Sequence, residues 1–251
     1  MNIQQTIEYF QLLFLLFMAR RIDRKYYILK IGCNLRFFFK SQRYPEDIDF
    51  DLQGISVRDF RDQINGILKS KSFMDALSIK GLAVGHITEH KQTETTQRLK
   101  LGIISEHMQI PTRIEFSRRD GKRGEIRFEA VDPIILKKYE ITLVLVNHYT
   151  RETAFLQKIY AMSSRTIPRA RDVFDLYLLV TTGTDIPTIL KTGDKSAITK
   201  AKNNIFSIDY GIFKSQVISY LDPVDRKVYG SEESWDAIRL KIIETLETGG
   251  K

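Results

Sequence analysis

Apolar residues crowd the start of the chain. Residues 6–22 are apolar on nearly every side of a helical wheel, which predicts a helix buried all round. Residues 26–29 predict a short strand running into Gly32, followed by a short helix over 34–39. Residues 47–52 read Asp-Ile-Asp-Phe-Asp-Leu, the period-2 pattern of a strand with one charged face. Ser56 and Asp59 make an S-x-x-[DE] helix start, and 57–77 continues as an amphipathic helix or helix pair.

The texture then turns to β. Residues 81–92, 97–105 and 112–118 are strand-like, and Arg119-Asp120-Gly121-Lys122 signals a hairpin turn before a strand over 125–129. Residues 141–147 form the last strong strand pattern. From Thr150 onward the chain reads as helical, with Gly183 and Asp194 marking loops. Phe213, Val217, Ile218 and Leu221, and then Trp235, Ile238, Ile242 and Leu246, have the spacing of two bundle helices. Residues 248–251 are expected to fray. This order predicts an α+β sheet domain over 1–150 followed by a helical domain over 151–251.

Composition narrows the function classes. The 251 residues hold 39 Lys+Arg against 31 Asp+Glu, a net charge of +8, which favours polyanionic partners. The single cysteine, Cys33, excludes a disulfide framework and a cysteine zinc cluster. His86, His90, His107 and His148 include one i,i+4 pair but no H-E-x-x-H, so a zinc hydrolase starts weak. The longest apolar run, residues 12–19, is far short of the roughly 20 needed to span a bilayer. It also ends in Arg20-Arg21 rather than a cleavage site, so the expectation is a soluble, cytoplasmic protein without a membrane partner.

The chemistry concentrates at the acidic strand. Residues two apart share a strand face, so Asp47 and Asp49 aim their carboxylates side by side. Like charges at that spacing repel, and a divalent cation is the natural occupant. Glu115, between Ile114 and Phe116, is the best third carboxylate for a two-metal site. Gly32, after a strand and before a helix, suits a turn whose N–H groups approach a phosphate. Asp-x-Asp on a solvated strand is common by itself, and a lone glycine is usually only a turn residue; their order is what points to phosphate chemistry. A second cluster lies in the helices. Lys158 falls on the apolar stripe of Phe155, Ile159 and Met162, where it either finds an anion or snorkels to water. Arg165 follows it. Arg171 and Asp175 are an i,i+4 pair, and Asp172 shares a face with Asp175, which fits an ordinary salt-bridged helix as well as a catalytic one.

These segments together resemble a known family. Leu29-Lys30-Ile31-Gly32-Cys33-Asn34-Leu35-Arg36-Phe37-Phe38 and Arg43-Tyr44-Pro45-Glu46-Asp47-Ile48-Asp49 look like the nucleotidyltransferase signature of the AbiEii/AbiGii toxins. Ile114-Glu115-Phe116-Ser117 is similar to that family's third-carboxylate strand. Lys158, Arg165 and Arg171-Asp172-Val173-Phe174-Asp175-Leu176 resemble its helical lysine and RDxxDL motifs. The match spans roughly residues 5–180. It implies a polymerase-β-like nucleotidyltransferase core with a mixed sheet, followed by a helical bundle that contributes Lys158 and the RDxxDL helix to the site. It also implies the toxin half of a toxin–antitoxin or phage-defence (abortive infection) pair, with a cognate antitoxin and RNA, tRNA foremost, as partners. Carried over by position, Asp47, Asp49 and Glu115 would bind two Mg²⁺ ions, with Mn²⁺ as an alternative. Gly32, Cys33, Arg43 and Lys158 would bind the NTP, with Arg171, Asp172 and Asp175 in support. Two positions depart from the family: Ile31 stands where glycine is usual, and Pro45 where serine is usual.

Residues 113–171 hold 13 Lys+Arg against 7 Asp+Glu, a net +6. Arg118, Arg119, Lys122 and Arg123, with Arg165, Arg169 and Arg171, are candidates to flank a polyanion, although a solvated surface accounts for part of them. Two competing readings stay open. One is a catalytically degenerate fold that binds RNA or protein, and the other is kinase-like transfer of the γ-phosphate to a protein.

Overall fold

The structure, a computed structural model, describes residues 1–93, 95–106, 108–118 and 124–248. The predicted turn at 119–122, Arg123, His107 and the terminal 249–251 lie outside the described residues. Two compact units emerge. One comprises Met1–Lys40 and Tyr44–Tyr149; the other comprises Ser41–Arg43 and the chain from Thr150 onward.

The first unit contains α1 (Ile3–Arg21), β1 (Tyr27–Lys30), α2 (Ile31–Phe38), β2 (Asp47–Leu52), α3 (Val57–Leu68) and α4 (Lys71–Ser78). It continues with β3 (Leu82–Gln92), β4 (Thr96–Ser105), β5 (Met108–Ser117), β6 (Ile126–Ala130), α5 (Pro133–Tyr139) and β7 (Leu145–Tyr149). The strands form one mixed sheet in the order β3-β4-β5-β2-β1-β7-β6. β2 is parallel to β5 and β1 to β7; the other neighbours are antiparallel. The fold class is α+β, as predicted.

β2 has the predicted bounds, because the alternation of its side chains leaves only one register that buries the hydrocarbon. Ile48, Phe50 and Leu52 are buried while the three aspartates are half-buried. Phe50 packs edge-on against Phe14 of α1 and stacks on Phe116 of β5. Phe116 meets Phe60 of α3 edge-on. The α1 helix is buried almost all round and starts at a capping box in which Asn2 accepts from the Gln5 N–H. The Ser56 cap accepts from the Asp59 N–H at 2.9 Å, and a second serine cap, Ser70, divides the 57–77 segment into two helices.

Several elements differ from expectation, among them β5, which starts at Met108 rather than at residue 112. The helix after β1 begins at Ile31 rather than at residue 34. The last strand is β7, four residues later than predicted at its start. Residues 141–144 are spent on other bonds: the Ile141 N–H closes the end of α5 on the Leu136 carbonyl, and the Val131 N–H donates to the Val144 carbonyl. α5 itself was not predicted. Asp132 caps it, Pro133 occupies its first turn, and Glu140 ends it in the left-handed region.

A buried polar knot ties α1 to α2 and α5. Glu8, fully buried, accepts from Arg36 Nε and, at 2.6 Å, from the Tyr139 hydroxyl. Burial and the adjacent Glu8 carboxylate hold the Tyr139 hydroxyl well above the usual phenol range.

The second unit is helical among its described residues: α6 (Arg151–Ser164), α7 (Ala170–Thr181), α8 (Ile186–Thr192), α9 (Lys195–Phe206), α10 (Tyr210–Gln216), α11 (Pro223–Tyr229) and α12 (Glu232–Thr248). The stripe at Trp235, Ile238, Ile242 and Leu246 is the buried face of α12. The stripe expected from Phe213 to Leu221 is not one helix, because α10 stops at Gln216 and a 3₁₀ turn, Ile218–Tyr220, follows. Trp235 stacks on Phe213 with ring centroids 4.3 Å apart and donates its indole N–H to the Ile208 carbonyl. No helix among the described residues is long and apolar enough to cross a membrane.

Glu8→Ala leaves the Arg36 charge and the Tyr139 hydroxyl without their acceptor. We expect a loss of about 3–5 kcal/mol in folding stability, measured by urea unfolding.

Candidate active site

The acidic strand places its three aspartates on the sheet face opposite α1, and the register aligns them with charges on neighbouring strands. One rung crosses four strands: Arg98 on β4 pairs with Glu115 on β5, Glu115 with Asp49 on β2, and Asp49 with Lys30 on β1. The next rung pairs Asp47 with Arg113. Sequence proximity thus hides an alternation that only the sheet exposes, cation, acid, acid, cation.

The side chains settle into distinct roles. Arg98 Nη2 lies 2.6 Å from a Glu115 oxygen, and Arg113 donates to Asp47. Lys30 Nζ donates to Asp51 Oδ1 at 2.7 Å and to Ser117 Oγ at 2.5 Å. The Tyr149 hydroxyl donates to Asp51 Oδ2 at 2.8 Å. Burial pushes the Asp51 carboxyl up, but Lys30, Tyr149 and Ser117 outweigh it and hold the group below the usual carboxylate range. Asp49 is different. Among the described residues its side chain has no hydrogen bond or ion pair. Its carboxyl is pushed up to about 6, first by burial and then by Asp47 and Glu115, against the pull of Lys30 and Arg113.

No three His, Cys, Asp or Glu side chains among the described residues are gathered closely enough to hold a metal ion. Asp47 and Glu115 lean instead onto their arginines. The donor set still fits a hard divalent cation: three carboxylates on adjacent rungs, with the central one lacking a partner and penalised by its own neighbours.

Gly32 and Cys33 sit in the first turn of α2, where Lys30, the cap residue, makes no side-chain cap bond. The buried Cys33 thiol donates to the Asp47 carbonyl at 3.3 Å, fastening the helix start to the acidic strand. Ile31 holds a φ of +60°, the left-handed region. A β-branched residue there is strained by about 1–2 kcal/mol, and glycine would adopt the same conformation freely. The position where the sequence departs from the resembled family is therefore the one where the backbone asks for glycine.

The remaining predicted site residues lie in the helical unit. Lys158 is buried and donates to Asp172 Oδ1 at 2.9 Å and to Asp175 Oδ2 at 2.5 Å. The anion that its buried position called for comes from the chain itself. Arg43, buried in the same unit, grips Asp175 with Nη2 at 3.1 and 3.2 Å from the two oxygens. Arg165 Nε lies 3.2 Å from Asp172. Burial pushes the Asp172 carboxyl up, but Lys158, Arg165 and, more weakly, Arg171 hold it low. The expected pairing of Arg171 with Asp175 by helical spacing is thus overshadowed by longer-range partners.

Sequence reasoning passed over Lys30, Asp51, Arg98, Arg113 and Tyr149. Asp51 was legible, since it continues the same alternation as Asp47 and Asp49. The others come from neighbouring strands, and only register brings them to the acids.

Comparison with known proteins now bears on these residues. The family described as "Nucleotidyl transferase AbiEii toxin, Type IV TA system" matches residues 15–245. No curated protein sequence matches the chain. Solved structures share its fold, among them the following two. MenT4, the nucleotidyltransferase toxin Rv2826c from Mycobacterium tuberculosis H37Rv, has a TM-score of 0.67 at 16% identity, covering 94% of this chain and 81% of that one. JHP933 from Helicobacter pylori has a TM-score of 0.58 at 17% identity, covering 98% and 92%.

Two stability measurements test the charge balance. Asp49→Asn removes a carboxylate whose ionised form the fold penalises. In chelator at pH 7 it should stabilise the protein by about 1–2 kcal/mol. The folded-state pKa is raised, so the gain should be full above about pH 6 and fade as pH falls toward 4. Lys158→Met removes the ammonium shared by two buried carboxylates, leaving Asp172 to Arg165 and Asp175 to Arg43, and should cost about 3 kcal/mol, read by thermal unfolding.

Proposed function

The chain belongs to the nucleotidyl transferase AbiEii toxin family, and we propose that it transfers a nucleotide from an NTP to an RNA acceptor, with tRNA the foremost candidate, in an Mg²⁺-dependent reaction. The observation that carries this reading is Asp49, its side chain without a hydrogen bond or ion pair among the described residues, set between Asp47 and Glu115 beside the uncapped start of α2. Asp47, Asp49 and Glu115 would hold the metal, Mg²⁺ or Mn²⁺, which supplies charge neutralisation at the reacting phosphate.

The chain's own residues account for the rest. The first-turn N–H groups of α2, at Gly32 and Cys33, offer donors and a positive dipole to phosphate oxygens. The acceptor hydroxyl oxygen attacks the α-phosphorus and the bond to the pyrophosphate oxygen breaks. The hydroxyl proton passes to a carboxylate of the acidic cluster, the role the family resemblance implies for Glu115. Lys30 fixes Asp51 and Ser117, linking β1 to β2 and β5 beside the reacting groups. We assign Lys158 and Arg43 first to holding the helical unit together. The phosphate-neutralising roles implied by the family resemblance would require each to exchange a carboxylate partner for a phosphate. In this reading the protein acts as the toxin of a toxin–antitoxin or phage-defence pair and works in the cytoplasm.

A second reading, a degenerate fold that only binds, draws on one observation: Ile31 occupies the strained turn where phosphate would approach. Purified protein incubated with Mg²⁺, total tRNA and each NTP labelled at the α-phosphate decides between them. RNA labelling that disappears in Asp49→Ala is the expected result. Label on protein from a γ-labelled NTP alone would indicate kinase-like transfer, and no label from any NTP would favour the degenerate binder. Ile31→Gly relieves the turn, and we expect it to lower KM for the NTP several-fold.

A further inference from the structure

At the opposite end of β1 from Lys30 lies an open groove of about 470 Å³. Its walls are Leu16, Phe128, Leu143 and Leu145, and three arginines, Arg20, Arg21 and Arg24, line it. All of it belongs to the sheet unit. The pleat explains the location. Lys30 faces the acids, and Tyr27, three residues and roughly 10 Å earlier along the strand, faces the other way.

Three features set this groove apart from a solvated basic surface. The first is Tyr27, which lines it, is fully buried, and has a hydroxyl with no hydrogen-bond partner among the described residues. A buried hydroxyl left unpaired is costly, and a ligand atom reaching it would recover that cost.

The second is the charge balance. Arg20 donates to the Thr142 hydroxyl, and Arg21 to the Gly66 carbonyl and the Ser72 hydroxyl, all neutral acceptors at 3.3–3.4 Å. Arg24 makes no ion pair among the described residues. The one carboxylate of the lining, Asp23, is engaged by Lys25 at 3.0 Å. An anion entering the groove meets three guanidinium groups and one carboxylate already paired.

The third is the platform. The Arg24 guanidinium lies 3.9 Å above the ring of Phe128, which stays 42% exposed, beside Leu143 at 64%. A flat guanidinium on an exposed aromatic ring, flanked by hydrocarbon, presents the stacking surface that nucleobases use.

We infer that this groove binds a nucleotide unit, with its base against the Arg24–Phe128 stack and its phosphate among the arginines. The shared chemistry belongs either to a strand of RNA or to a free nucleotide. If the RNA is the acceptor of the proposed reaction, the groove grips it away from its reacting end, and that part rests on the reading above. An acidic protein segment would satisfy the arginines but has no use for the stack.

The test uses the full chain with Asp49→Asn as background, in chelator, so that binding is read without turnover. The probe is a fluorescent ten-nucleotide single-stranded RNA, followed by anisotropy. Arg24→Glu and Phe128→Ala alter exposed side chains, and each should weaken binding five- to twenty-fold. Tyr27→Phe should weaken it two- to five-fold while leaving thermal stability equal or higher, a combination that a purely structural tyrosine would not give. Competition by ATP at concentrations that leave polyglutamate without effect assigns the groove to a free nucleotide. Displacement by unlabelled RNA alone assigns it to a strand. The inference is overturned if Arg24→Glu and Phe128→Ala bind as the background does, or if polyglutamate competes as well as RNA. Lost NTP labelling with intact groove binding would sink the transferase reading alone, and the converse would sink only the groove.

Discussion

Everything in the sheet unit depends on one constraint: β2 can place its carboxylates only where its hydrocarbon lets it. Phe50 is packed against Phe14 and Phe116, Ile48 and Leu52 are buried in the same cluster, and the pleat then forces Asp47, Asp49 and Asp51 onto the other face. A slip of one residue would exchange acids for hydrocarbon along the whole strand. The aromatic core is therefore the template for the charged face, and the register carried to β1 and β5 follows from it.

On that face, similar groups acquire opposite characters within two residues. Asp51 has Lys30, Tyr149 and Ser117 around it and ionises readily, whereas Asp49 resists ionisation, first through burial and then through the two carboxylates beside it. Environments that drive neighbouring acids apart in this way are how a fold separates a fixed structural charge from a responsive one. Arg98 and Arg113 moderate the repulsion on either side. The helical unit solves the same electrostatic problem differently: Asp172 and Asp175 are held by Lys158, Arg43 and Arg165 within the unit.

What the sequence disclosed tracks how local each signal is. The β2 strand, the buried α1 helix and the Ser56 cap are written in contiguous residues, and they were read with little error. The strand over 141–147 was misplaced because apolar residues there serve the end of α5, a use that periodicity cannot distinguish from a strand. α5 is short and begins with proline, so it left little pattern to see. The partners Lys30, Arg98 and Arg113 reach the acids through register alone, and the anions awaiting Lys158 lie a helix away. Ile31 is the instructive case: sequence marked it as out of place, and the backbone supplied the reason.

Arg43 shows that the helical unit is not one continuous stretch of chain. The short segment Ser41–Arg43 leaves the sheet unit between α2 and β2 and belongs with the helices, where its guanidinium is buried on Asp175. A chain cut after residue 150 would keep that arginine and lose its carboxylate, carrying an orphaned charge shaped for burial. The C-terminal helices are accordingly not an interchangeable appendage. Exchanging the helices for others would require a new acid for Arg43 or the replacement of Arg43 itself.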